Sequence, residues 1–142
     1  MERQTGTKKP LAFRVRPATL EHLKRRAYEI GQSQTSLAER YVEEGIRMDE
    51  HPLIYFRGVD AGRRPALLGT RLDVAEVIKT FRQNGSSSAQ TAEYLETPPE
   101  HVEACLRYYA AFGDELDEWI SRTQAVAERE EALWRRRQDL SR

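Results

Sequence analysis

Lys8, Lys9, Arg14 and Arg16 surround a short apolar alternation near the start of the chain. Ammonium and guanidinium groups so spaced suit phosphate oxygens and the acceptor edges of bases. Ser33-Gln34-Thr35 offers a second kind of anion chemistry, because backbone amides left free at a helix start point at whatever lies beyond it. Arg135, Arg136 and Arg137 place three consecutive guanidinium groups near the other end. The more reactive residue types do not converge. His22, His51 and His101 stand apart from one another and from Cys105, without metal-ligand spacing. His22 falls on the outer face of a helical pattern and His101 in the first turn of another, as surface residues do. Ser86, Ser87 and Ser88 have no nearby base and no nucleophile-elbow context, and helix capping accounts for them. No glycine-rich phosphate loop follows a strand. These residues describe a binding protein, with neither an enzyme activity nor a cofactor expected.

The elements that must position the basic groups are legible. In Leu11 to Arg16, Leu11, Phe13 and Val15 fall on one side of an extended chain, and Pro10, Ala12, Arg14 and Arg16 on the other. One such strand satisfies neither its backbone nor its apolar face, and no strand of matching pattern lies nearby. The economical partner is the same strand of a second copy, in a two-stranded antiparallel ribbon across a two-fold axis. Such a ribbon fits the DNA major groove, with its apolar face covered by helices. Pro17 suits a first helical turn, and Leu20, Leu23, Ala27 and Ile30 recur at helical spacing. Gly31 supplies a left-handed stop. Ser33 caps a second helix whose inward face is Leu37, Tyr41, Val42 and Ile46.

Strand, helix, Gly-x-Ser turn and helix together resemble the ribbon-helix-helix family of Arc and CopG-like repressors, over about residues 9 to 47. The resemblance implies that Ala12 and Arg14, with Pro10 or Lys9, face the bases. Pro10 and Ala12 offer no side-chain hydrogen bond, so base readout would rest on Arg14. Lys8, Lys9, Arg16 and the start of the second helix would meet phosphates. The competing reading of Lys8 to Arg16 is an ordinary solvated basic edge strand.

Composition sets the wider bounds. The 142 residues carry 23 basic and 23 acidic side chains, yet residues 1–48 hold ten Lys/Arg against six Asp/Glu. A basic head with an acid-enriched rear suits a protein that grips nucleic acid at one end and a protein at the other. With 39% apolar and 32% charged residues, cores should be small and some helical surface should await a partner. The single cysteine excludes an intrachain disulfide. No apolar run is long enough for a membrane span and no signal-peptide core is evident, so a cytoplasmic location is expected. Met1 to Thr7 is polar and expected to be loose unless Lys8 and Lys9 meet phosphate.

After Met48 the pattern changes at His51-Pro52. Leu53 to Phe56 and Ala66 to Leu68 read as short strands around a turn from Gly58 to Arg64. A helix starts near Asp73 with Val74, Val77, Ile78 and Phe81 inward, and a shorter one runs from the serine cluster to about Leu95. Thr97-Pro98-Pro99-Glu100 reads as an N-cap, a first-turn proline and a capping-box acid. The helix it opens buries Val102, Cys105, Leu106 and Tyr109 and ends near Gly113. The last two form a helix-turn-helix, but Glu100 and Glu103 would repel DNA phosphates. The His51-Pro52 start, Gly69-Thr70-Arg71 and this helix order resemble a small domain found in VapB-like antitoxins, over about residues 51 to 112. That resemblance implies a PIN-like ribonuclease toxin as partner. Arg71 has two readings: an internal pair with a carboxylate or carbonyls, or a contact to a partner.

Asp114 to about Leu140 lacks internal glycine and proline and reads as a long helix, acidic at its start and basic at its end. Trp119, Val126, Leu133 and Leu140 recur every seventh position, with Leu116, Ile120 and Trp134 beside them. Thr123, Glu130 and Arg137 weaken a coiled coil. A heterologous partner is favoured, with Trp119 and Trp134 as anchors. If that partner is a PIN-like nuclease, one of Arg135, Arg136 and Arg137 would enter its metal-binding carboxylates; a solvated run closing the helix is the rival reading. The expected architecture is mainly α: a ribbon-helix-helix dimer (8–48), a small helical domain with a β-hairpin (51–113) and a partner-binding helix (114–142). The expected function is an antitoxin that also represses its own operon. A stand-alone repressor and a protein-interaction adaptor are the alternatives.

Overall fold

The computed structural model describes residues 6–142, so the reading of Met1 to Thr5 as a loose polar terminus lies outside the described residues. These hold five α-helices and a two-stranded antiparallel sheet, in two compact units, one running to Val74 and the other from Ala75 to Arg142.

In the first unit, residues 7–16 form neither helix nor ladder within the single chain. Helix α1 (Pro17–Ile30) opens on its proline, whose fixed φ suits a first turn. Gly31, at φ 69°, ends it in the left-handed region, where the Gln32 amide donates back to the Ala27 carbonyl at 3.0 Å. Ser33 then caps α2 (Gln34–Glu50), its hydroxyl accepting from the Ser36 amide at 3.1 Å. Strands β1 (Ile54–Arg57) and β2 (Arg64–Leu67) pair with Ile54 opposite Leu67 and Arg57 opposite Arg64. Their connection includes a short 3₁₀ turn, Asp60–Gly62. Gly58 permits that turn, because a Cβ there would lie 2.2 Å from the Gly62 carbonyl oxygen and φ is +94°. Ala27, Leu37, Ile54, Ala66 and Leu67 are buried. Tyr41 and Ile46, expected inward on α2, are exposed in the single chain, as is Leu20 of α1.

The second unit comprises α3 (Val74–Gln83, opening at the boundary), α4 (Ser88–Leu95) and α5 (Pro99–Leu140). Ser87 caps α4 by accepting from the Gln90 amide at 3.1 Å. Two expected boundaries are corrected. The residue capping α5 is Pro98, not Thr97, and its side chain makes no capping bond. The helix opened at Pro99 does not end near Gly113, because Gly113 keeps helical geometry and is buried. The irregularity falls one residue earlier, as a kink at Phe112 (φ −131°, ψ 32°), after which the helix formers from Asp114 continue to Leu140. The inward face of α5 is Val102, Cys105, Tyr108, Phe112, Leu116 and Ile120. Leu106 and Tyr109, expected to be buried, are only partly so. The Tyr108 and Phe112 rings meet across 4.9 Å.

Candidate nucleic-acid interface

Leu11, Phe13 and Val15 are 70%, 64% and 44% exposed. Among the described residues, no backbone hydrogen bond joins residues 7–15 to the rest of the chain. Open amides and carbonyls therefore stand beside uncovered apolar side chains along this segment. Phe13 and Val15 also line a groove of about 450 Å³ with Leu23, Tyr41 and Val42, rimmed by Arg25 and Arg26. The segment therefore lies over an apolar hollow between α1 and α2.

The basic residues of this segment are solvent-facing: Lys9, Arg14 and Arg16, with Ala12 among them, are exposed. Lys8 is exposed too, but its ammonium meets the Glu39 carboxylate at 2.9 Å. The hydrogen bond to Glu39 raises its pKa, and the pair lies at the surface, with the Lys8 side chain still largely in solvent. At the start of α2 the Ser33 hydroxyl is spent on its own cap. Gln34 and Thr35 are exposed, and their amides find no backbone acceptor among the described residues. Those donors point along the positive end of a 17-residue helix.

The β-hairpin adds cationic groups that the sequence reading passed over. Arg63 donates to both Glu44 oxygens, at 2.9 and 2.6 Å, and to the Gly58 carbonyl at 3.0 Å. Glu44 is only 8% exposed, so this fork sustains a charge almost out of water. The hydrogen bond to Glu44 holds the Arg63 guanidinium above its ordinary pKa, against the opposing effect of burial. Asp73 receives two arginines: Arg57 Nε at 2.9 Å and Arg64 Nε at 2.8 Å. In Gly69-Thr70-Arg71, Gly69 takes φ 77°. The Thr70 hydroxyl donates to the Leu67 carbonyl at 2.8 Å and accepts from the Leu72 amide at 3.0 Å. The Arg71 side chain is exposed and makes no hydrogen bond or ion pair among the described residues. A signal for this cluster was available: Arg57, Arg63, Arg64 and Arg71 stand against only Asp60 and Asp73 in residues 51–74.

On α5 the exposed stripe begins after Thr123. Val126, Leu133 and Trp134 are 58%, 47% and 59% exposed, whereas Leu116 and Ile120 belong to the core. Trp119 is partly buried, with the Arg122 guanidinium 5.5 Å from its ring centre. Arg135 pairs with Glu131 one turn earlier at 2.6 Å, and Arg136 and Arg137 are exposed. Near the kink, Arg82 donates to the Tyr109 hydroxyl at 2.8 Å and to Asp117 at 2.9 Å, and the Tyr109 hydroxyl donates to Asp117 at 2.8 Å. Burial pushes the Asp117 carboxyl up, but these hydrogen bonds outweigh it and hold the group below the usual carboxylate range.

The nucleophile and metal-ligand types stay scattered. Cys105 is fully buried, and burial pushes its thiol up to about 12. Among the described residues, no three His, Cys, Asp or Glu side chains gather as a metal site. No family model, curated protein or solved structure matches the chain.

Proposed function

We propose that the protein is a dimeric DNA-binding regulator of the ribbon-helix-helix kind whose last helix docks on a second protein, the arrangement of an antitoxin that represses its own operon and silences a PIN-like ribonuclease. The observation that carries the reading is the segment 7–16: an apolar row left in water, a backbone without backbone partners over residues 7–15 and arginines facing outward. A second copy of the segment answers all three at once. Antiparallel pairing satisfies the backbone, the two apolar rows close over α1 and α2, and Arg14 from each copy is presented to the major groove. The amides of Gln34 and Thr35 then take phosphate oxygens on either side.

The toxin-binding half rests on α5. Past Thr123 it carries Val126, Leu133 and Trp134 in solvent, ahead of Arg136 and Arg137. An apolar stripe with a cationic end suits a groove with an acidic floor, which the metal-binding carboxylates of a PIN-like nuclease provide. A stand-alone repressor would use the same dimer without the toxin, and an adaptor would use neither DNA nor toxin.

Gel-shift titration on the promoter fragment upstream of the gene tests the first half. Arg14→Ala should weaken binding by about 1–3 kcal/mol per half-site, and unchanged affinity would refute the groove placement. Co-expression with the adjacent open reading frame tests the second half: co-purification through α5 supports the antitoxin, and its absence leaves the stand-alone repressor.

A further inference from the structure

Within Gly69-Thr70-Arg71 the first two residues are explained by the turn they build, and the third is not. The Arg71 carbonyl accepts from Arg57 Nη2 at 2.7 Å, so the Arg57 guanidinium lies against the Arg71 backbone. Arg57 and Arg64 face each other across the ladder and share Asp73. Two guanidinium groups thus share one carboxylate, a local surplus of one positive charge, and the backbone they adjoin belongs to Arg71, whose exposed side chain adds a further cation. The Arg57 and Arg64 side chains remain 27% and 30% exposed, and Arg71 stands in solvent. Gathering like charges this way is unfavourable unless an anion shares them.

The position of the cluster says which anion. Arg57 and Arg64 form the ladder pair next to the connecting turn, and that turn reaches back to the α1–α2 junction, where Gln32 Nε2 donates to Asp60 at 2.9 Å. Gln32 immediately precedes the Ser33 cap of α2, so the hairpin's turn lies beside the helix start whose amides are open. The Asp60 carboxylate keeps its charge while accepting from that amide, so Arg57, Arg64 and Arg71 stand against Asp60 and Asp73 there. Residues 1–74 carry 14 Lys/Arg against 10 Asp/Glu, whereas residues 75–142 carry 9 against 13, so the cluster belongs to the basic unit that holds the ribbon segment.

We propose that Arg57, Arg64 and Arg71 form a second phosphate-binding patch, extending the DNA contact from the ribbon and α2 onto the hairpin. The inference rests on the DNA-binding reading. Phosphodiester oxygens fit forked guanidinium donors in any sequence, so the patch contributes affinity and register without base selection. Arg71 is the group to remove, because Arg57, Arg64 and Thr70 also hold the hairpin together.

Phosphate contacts are read by salt dependence. The full-length protein is titrated by fluorescence anisotropy onto a labelled mixed-sequence duplex of about 30 base pairs, between about 50 and 200 mM salt. A dimer of Arg71→Ala loses two contacts, so the slope of log affinity against log salt should shrink by about 1.8. Arg71→Lys should retain most of the slope, and Arg71→Glu should fall below the alanine variant. Matching circular dichroism spectra are expected throughout, since the side chain is exposed and makes no hydrogen bond or ion pair among the described residues. Wild-type protein that binds the duplex with a slope indifferent to Arg71→Ala overturns the patch and leaves the ribbon reading standing, whatever acidic peptide the hairpin then meets. Wild-type protein that ignores the duplex even at low salt overturns both.

Discussion

Glu44 illustrates how a single charge is sustained inside a small protein. It sits on α2 almost out of water, and Arg63 answers both of its oxygens from the hairpin, while Arg40 approaches no closer than 3.9 Å. A buried ion pair adds little net stability, because desolvation offsets most of the attraction, but removing one member strands the other. Arg63→Ala should therefore cost about 2 kcal/mol, seen as a lower urea midpoint at pH 7. Arg63→Ala combined with Glu44→Gln should recover much of that loss. An unchanged midpoint in the single variant would mean that water reaches Glu44. Arg71, by contrast, should be silent in the same assay, since its exposed side chain makes no hydrogen bond or ion pair among the described residues.

At the scale of elements, α5 is one helix with a buried and an exposed part, and the division does not fall at Gly113. Leu116 and Ile120 lie beyond the kink at Phe112 and are buried, so the core extends two turns past the expected boundary. Removing residues 114–142 would delete both, at a cost of about 2–5 kcal/mol for each large apolar side chain lost. A cut after Thr123 removes only solvent-exposed residues. Truncation to residues 1–123 should leave the melting temperature within about 3 °C of wild type and, on the proposed function, preserve DNA binding while abolishing partner capture. Truncation to residues 1–113 should unfold the second unit. Circular dichroism melts of the two forms check the difference, and equal melts would place the boundary back at the kink.

For the whole molecule, the exposed row at Leu11, Phe13 and Val15 is an energetic statement about association. Burying such side chains is worth about 1.5–3 kcal/mol each, and a two-fold pairing counts every one twice. On the proposed pairing, the wild type should therefore sediment as a dimer at micromolar concentration, and Phe13→Asp should sediment as a monomer and lose duplex binding. Wild-type protein that sediments as one subunit would end the ribbon reading outright. Charge is divided on the same scale: the surplus of four basic groups up to Val74 is balanced by the acid of the rest, so a net charge of zero conceals two units of opposite sign.

Helix starts and stops were legible in the residues themselves. Pro17, Gly31, Ser33 and the serine cluster before α4 act through their own backbone geometry, which needs no distant partner. The hairpin was equally local, because alternation and a turn-rich connection are properties of neighbouring residues. Burial and pairing were not, since they depend on residues far apart in the chain. That Tyr108 rather than Tyr109 turns inward was settled by packing around a kink. That Glu44 is tolerated at all was settled by an arginine 19 residues away. That Arg71 is left over was settled by Asp73 being satisfied by Arg57 and Arg64. Composition and spacing decided where the chain turns; only the folded arrangement decided which charges are consumed within it and which are left facing outward.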